Sequence, residues 1–233
     1  MYSRKLTVKS TDVTLKNTLR PSMLLTMVQE ATVDHTTKLG FGKGKTFDNG
    51  FLWVIVKQEL RITRMPRYDE TVKLETWPGD TMHMFFPRYS RMLDENGEVL
   101  ATVSAIWTLI DSNSRCLIDP AKEGIDIHGE SIGKDLPFPS GIKHIPVTSS
   151  IEYTVPFSAA DINGHLGNMR YLDIAEDLIP EISSAKDPKT ILCEYSNEIR
   201  YNEKITVSFG SDGNRCYFSG DGDKHKFTLL FEY

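Results

Sequence analysis

The segment Asp161-Ile162-Asn163-Gly164-His165-Leu166-Gly167-Asn168-Met169-Arg170-Tyr171 brings a carboxylate, an imidazole and two carboxamides close together in the chain. Hydrolysis by activated water needs a base for the water, polar groups to hold it, and N–H donors for a developing oxyanion. Side chains of these types supply the first two. The apolar stripe that follows marks a helix opening at Gly167 or Asn168, so its first free N–H groups point toward the loop. Gly167 also lets the backbone approach a ligand closely. The plainer reading is a polar turn, formed by Asp161 and Asn163, with Asn168 as helix N-cap.

The elements that must position this loop fall into two similar halves. Leu24, Met27, Val28 and Ala31 fall at i, i+3, i+4 and i+7 after Pro21, which predicts a helix closing near Gly40. Tyr171, Ile174, Ala175, Leu178 and Ile182 predict its counterpart, closed by the polar run from Ser183 to Pro188. Strands are expected over Phe51 to Ile62, Thr71 to Trp77, and Phe85 to Ile110 folded at the Asp94-Glu95-Asn96-Gly97 turn. Others are expected over Ile151 to Phe157, Ile191 to Ile199, Ile205 to Phe209, Cys216 to Ser219 and Phe227 to Phe231. Between the halves, Pro120, Pro137, Pro139 and Pro146 with several glycines show no sustained period, as a linker would. The expected division is therefore 1–120, a linker at 121–148, and 149–233.

A short repeat supports duplication. Arg67-Tyr68-Asp69-Glu70-Thr71-Val72 matches Arg200-Tyr201-Asn202-Glu203-Lys204-Ile205 at an offset of 200 − 67 = 133, and Met23 pairs with Met169 at 169 − 23 = 146. The difference, 146 − 133 = 13, is the number of residues expected to be missing between helix and strand in the second half. One long helix held against a curved antiparallel sheet, twice in tandem, resembles the α+β hot-dog fold in its double form. That fold hosts several chemistries, so function has to come from particular side chains.

The D-x-N-x-H-x-x-N spacing, with Tyr171 three positions on, resembles the active-site segment of acyl-[acyl carrier protein] thioesterases. Glu194-Tyr195-Ser196-Asn197-Glu198 resembles that family's Glu-Tyr-x-x-Glu stretch, whose last glutamate belongs to the active site. Trp53, Leu74-Glu75-Thr76-Trp77-Pro78 and Ala105-Ile106-Trp107 extend the likeness over most of the chain. The resemblance implies release of fatty acid from acyl carrier protein, in fatty acid biosynthesis, with Asp161, Asn163, His165 and Glu198 as the active-site set. Glu198 is the preferred general base, Asn163 and His165 position water and carbonyl, and Asp161 orients Asn163 or shares the base role. Gly167 and Asn168 serve the oxyanion. Many family members carry cysteine directly after the glutamate; here Ile199 removes thiol chemistry at that place. Cys193 is expected to be buried and inert.

The resemblance also implies an acyl pocket in the first half, for which Met27, Trp53, Phe85 and Trp107 are candidates. A carrier protein is acidic, and with a net charge of −5 the chain needs a local basic patch to attract it. Lys57, Arg61, Arg64 and Arg67, with Arg88 and Arg91, are the expected patch. The same charge argues against nonspecific nucleic-acid binding. No stretch approaches the roughly 18 apolar residues of a membrane span, and the N-terminus shows no hydrophobic signal core, so a cytoplasmic location is expected. Cys116, Cys193 and Cys216 lack metal or disulfide spacing and are expected as free thiols, with no metal or cofactor. His35 is expected in the core or the pocket, and the other histidines outside the site are assigned no role. Two tandem hot dogs already form a pseudo-dimer, so the chain is expected as a monomer or as a homodimer. The competing readings are a hot-dog thioesterase for acyl-coenzyme A and a noncatalytic acyl-binding protein.

Overall fold

The computed structural model describes residues 1–130 and 136–233; residues 131–135, inside the expected linker, lie outside the described residues. In chain order the first half carries β1 (Tyr2–Thr7), α1 (Pro21–Lys38), β2 (Phe51–Ile62), β3 (Thr71–Pro78), β4 (Phe85–Leu93) and β5 (Val99–Asp111). The second carries β6 (Ser149–Thr154), α2 (Arg170–Leu178), α3 (Pro180–Ala185), β7 (Thr190–Tyr195), β8 (Lys204–Ser211), β9 (Arg215–Asp221) and β10 (His225–Glu232). All the strands join in one antiparallel sheet of order β1-β3-β4-β5-β2-β7-β10-β9-β8-β6. The halves meet at β2 and β7, paired from Lys57↔Glu194 to Arg61↔Thr190. The fold is α+β, and no helix of the described residues is long and apolar enough to cross a membrane.

Local chemistry explains the main elements. Pro21 sits in the first turn of α1, where its missing N–H costs nothing, and the helix buries Leu24, Leu25, Val28, Ala31 and His35 against the sheet. The principal core runs unbroken through both halves, from Leu24, Leu60 and Leu74 to Ile174, Phe218, Phe227 and Phe231. Each such side chain contributes about 1.5–3 kcal/mol on burial. In β2 the register shifts between Ile55 and Lys57, which puts Gln58 and Leu60 inside and Glu59 and Arg61 along the other face.

The duplication is visible atom by atom. Asp69 and Asn202, at the equivalent place in the repeat, both take positive φ, +67° and +64°. Arg67 and Arg200 each donate a backbone N–H at 2.9 Å to the glutamate three residues on, Glu70 and Glu203.

Three expectations need correction. The second apolar stripe does not form one helix: Pro180 cannot supply the N–H of a continuing helix, so the chain breaks into α2 and α3. The strand expected over Ile191 to Ile199 ends at Tyr195, because Ser196 and Asn197 both donate to Lys226 O, at 2.8 and 3.1 Å, and the ladder with β10 stops there. The strand expected over Ile151 to Phe157 ends at Thr154. The stretch between the halves lies on the sheet at two places: Ile125 and Ile127 are buried with Phe86 and Leu109, and Ile145 is buried with Leu192, Tyr217 and Leu230.

Glu176 on α2 makes a separable prediction. Burial pushes its carboxyl up to about 7, with Asp173 adding in the same direction. The fold holds the proton while the unfolded chain ionises near 4.5, so the stability contribution is full below that value and is lost as pH rises through about 7. The loss is on the order of 1–3 kcal/mol. Glu176→Gln is therefore expected to raise Tm by several degrees at about pH 8 and to change it little at about pH 4, in thermal melts at both values.

Candidate functional site

Asp161 shapes the loop that opens α2. Its Oδ1 accepts the backbone N–H of Asn163 at 2.8 Å and of His165 at 3.1 Å. Its own N–H donates to His165 O at 2.7 Å, and Gly164 takes φ +74°, a region where glycine carries no Cβ penalty. The loop is tied to the segment after β7: Leu166 N donates to Ile199 O at 2.7 Å, and Tyr201 N donates to Gly164 O at 2.8 Å. Those two bonds bring His165 and Glu198 together, with His165 Nδ1 3.3 Å from Glu198 Oε2. The histidine side chain is 13% exposed and the glutamate 33%, so the pair lies at the surface of the interior and within reach of solvent.

Glu198 therefore comes from a loop and not from a strand. Its carbonyl oxygen accepts Lys226 Nζ at 3.4 Å, and Ile199 beside it is fully buried, which anchors the backbone on both sides of the carboxylate. A third group joins the pair that the sequence reading missed: Arg115, in the turn after β5, places its guanidinium 3.6 Å from Glu198 Oε2. Nothing in the sequence around Arg115 marks it. Only the packing of the first half's turn beside the second half's loop brings it there.

The expected oxyanion donors divide. Gly167 N donates to Ala159 O at 3.1 Å and is already engaged. The backbone N–H groups of Asn168 and Met169 have no protein acceptor among the described residues. The helix starts at Arg170 with Met169 as N-cap and no side-chain cap, so Asn168 is not the cap. Tyr195, quoted in the sequence motif without a role, supports this end of the helix: its hydroxyl donates to Asn168 O at 3.3 Å and accepts Gln58 Nε2 at 2.7 Å. Its ring packs edge-on to Tyr171, and burial holds both phenols well above their usual range. Asn163 is exposed, and its side-chain amide makes no hydrogen bond among the described residues.

The first half keeps the same loop with different side chains. Thr14 N donates to Thr18 O at 2.8 Å, Asn17 N to Thr14 O at 3.0 Å, and Leu19 N to Pro66 O at 2.7 Å, matching Asp161, Gly164 and Leu166 at an offset of 161 − 14 = 147. Thr14, Lys16 and Thr18 stand where the second half has Asp161, Asn163 and His165, and buried Met65 stands where it has Glu198, 198 − 133 = 65. Lys16 there pairs with Asp187 at 2.7 Å. Among the described residues the Asp-x-Asn-x-His and glutamate combination is therefore found in the second half and not at the matching positions of the first.

The residues expected to line an acyl pocket also divide. Trp107 lines a small internal void between α1 and the sheet. Met27 packs at the edge of the principal core, Trp53 packs edge-on to Phe86 in a separate cluster, and Phe85 is exposed. Of the expected docking cations, Lys57 pairs with Glu194 at 2.7 Å, Arg61 with Glu59, Arg64 with Glu70 at 2.7 Å and Arg91 with Glu75 at 2.6 Å. Arg67 has no ion-pair partner among the described residues. Arg88 has to be withdrawn from the docking set: it is 5% exposed, its Nε donating to Thr76 Oγ1 at 3.0 Å and its NH2 to His35 Nδ1 at 2.8 Å. Burial, with Arg88 second, draws His35 down to about 4, so the ring is neutral and accepts that bond. A groove of about 640 Å³ lies elsewhere, lined by Arg61, Lys189 and Arg215 near the seam, and includes none of the catalytic candidates.

Cys193 and Cys216 are buried, and Cys116, next to Arg115, is exposed. Cys193 is fully buried, and burial pushes its thiol up to about 12, where it stays protonated. Among the described residues no group of three or more histidine, cysteine, aspartate or glutamate side chains is placed to hold a metal ion.

Two family models match the chain: the acyl-ACP thioesterase N-terminal domain over residues 1–127 and the acyl-ACP thioesterase C-terminal domain over residues 142–226. A chloroplast acyl-[acyl-carrier-protein] hydrolase of Cuphea viscosissima is 22% identical over 85% of the chain and 52% of its own length. The oleoyl-acyl carrier protein thioesterase 2 of Arabidopsis thaliana is 24% identical over 88% and 61%. The chain thus spans little more than half the length of the curated relatives it matches. The fold is similar to that of an acyl-ACP thioesterase from Bacteroides thetaiotaomicron, with TM-score 0.83 and 18% identity over 99% of this chain and 96% of that one. It is also similar to that of the 12:0-ACP thioesterase from Umbellularia californica, with TM-score 0.81, 18% identity and the same coverage.

Proposed function

The chain belongs to the acyl-ACP thioesterase family, and from that membership we propose that it hydrolyses the thioester of fatty acyl-[acyl carrier protein] and releases the free fatty acid. The observation that carries the reading is the meeting of His165 and Glu198 at 3.3 Å beside the N-terminus of α2. Glu198 Oε2 faces His165 and Arg115, which leaves Oε1 to take a proton from water. The water oxygen attacks the thioester carbon as its proton passes to Glu198. The carbonyl oxygen, now anionic, is met by the free N–H groups of Asn168 and Met169, with Asn163 supplying a further donor. The intermediate collapses by breaking the carbon–sulfur bond, and the thiolate recovers the proton from Glu198. Asp161 holds the loop in register for these steps.

A second reading has one observation in its favour. Nδ1 of His165 faces Glu198, so a ring that donates there presents Nε2 as an acceptor, and the histidine becomes the base with Glu198 orienting it.

Recognition of the carrier protein is assigned to Lys57, Arg61, Arg64 and Arg67, where acidic carrier side chains would exchange with Glu194, Glu59 and Glu70. The three free thiols, one of them exposed, suit a reducing compartment, and on that basis we place the protein in the cytoplasm. Initial rates on carrier-protein and coenzyme A thioesters of the same acyl group test the substrate handle. At least a tenfold higher kcat/KM for the carrier-protein form is expected, on the order of 1.4 kcal/mol of discrimination. A preference for coenzyme A would assign the handle to the nucleotide instead.

A further inference from the structure

The void between α1 and the sheet measures about 10 Å³, room for one water-sized group. Leu25, Val28 and Trp107 form apolar wall, and Gln29, Gln58 and Arg88 line the same space. It adjoins the candidate site. Met169 lines it and directly follows Asn168, and Gln58 reaches Asn168 O through the Tyr195 hydroxyl.

Two of its polar groups are incompletely matched. Gln29 Oε1 is buried and meets no donor among the described residues. Arg88 is a buried cation whose side-chain contacts are a hydroxyl and a neutral imidazole, with no carboxylate in ion-pair range among the described residues. A buried acceptor without a donor and a buried cation without an anion are both costly, and each is stabilised by a polar ligand. An acceptor on α1 and a donor on β4 that line one water-sized space together match a group that can donate and accept at once. A plain methylene answers neither. A carboxylate answers Arg88 but repels Gln29 Oε1 as that amide is oriented, and suits the flipped amide alone. A hydroxyl answers both, and it does so in either orientation of the Gln29 amide.

We propose that the substrate's acyl chain carries a hydroxyl group, seated between Gln29 and Arg88 in this part of the acyl pocket. The proposal rests on the thioesterase reading for the position of the chain: the thioester at His165 and Glu198, the hydrocarbon passing beneath the start of α2.

The test uses carrier-protein thioesters matched in chain length, one saturated and a series with a hydroxyl stepped along the chain. Alongside it, binding of the corresponding free hydroxy and plain fatty acids to Glu198→Gln protein is measured by calorimetry, which needs no turnover. One hydroxyl position is expected to exceed the plain chain by about tenfold or more in kcat/KM and to bind with a Kd about tenfold or more lower, and Gln29→Leu is expected to bring both ratios to within about twofold of one. Hydrolysis of the plain chain with no hydroxyl position preferred, in rate or in binding, would overturn the pocket assignment, leave the void to a water molecule, and leave the thioesterase reading standing. No hydrolysis of any thioester, with the hydroxy acid still bound preferentially, would overturn the thioesterase reading and uphold the pocket.

Discussion

Glu198→Gln is expected to lower kcat for acyl-carrier-protein hydrolysis by about a thousandfold, an added barrier of about 4 kcal/mol. Glutamine keeps the shape of the side chain and an oxygen to accept from His165, but it cannot take a proton from water. The loss should therefore fall on kcat, with KM little changed, and Tm should stay near that of the parent protein because Glu198 is part-exposed. The histidine-base reading gives a different pattern. There Glu198 only orients the ring, so glutamine should cost about ten- to hundredfold, and His165→Ala should carry the thousandfold loss. Single-turnover rates for the two variants decide between the bases. Parent-like rates in both would remove the pair from the chemistry altogether.

For Asp161→Ala the expectation is a loss of about a hundredfold, by misplacement of the loop and not by removal of a base. Its Oδ1 accepts two backbone N–H groups, at 2.8 and 3.1 Å, and without them the His165 main chain is free to shift. Asp161→Asn keeps an acceptor oxygen at the same place, so it should recover activity to within about tenfold of the parent. If asparagine proves as damaging as alanine, the negative charge itself is needed, and Asp161 shares the base role with Glu198.

Much of the scaffold was legible in local pattern. The spacing of Leu24, Val28 and Ala31 after Pro21 marked α1, and the run from Phe51 to Ile62 marked β2 to the residue. The matched turns at Arg67 and Arg200 marked the duplication because each must reverse the chain through a left-handed residue, Asp69 or Asn202, on its way into a strand. Pro180 was equally plain in the sequence, yet the apolar stripe continued past it, and periodicity outvoted the missing N–H. The strand expected to reach Ile199 would carry Glu198, although Ser196, Asn197 and Glu198 are three polar residues in a row and already break the alternation. The strand ends where its partner does, and the partner, β10, lies about 30 residues further along the chain.

The candidate site divides along the same line. The loop's residue types, its glycine at positive φ and the helix after it follow from neighbours in sequence, so D-x-N-x-H carried enough information to point to them. Arg115 beside Glu198, Tyr195 between Gln58 and Asn168, and Arg88 turned inward to His35 could not be read this way. Residue type alone put Arg88 on the surface, because a charge is usually exposed unless something remote receives it. Short-range backbone preferences fix turns, helices and strands within a few residues of their cause. Which side chains share a cavity, and which carboxylate meets which base, depends on contacts between segments far apart in the chain, and these exist only once the sheet has closed around its helices.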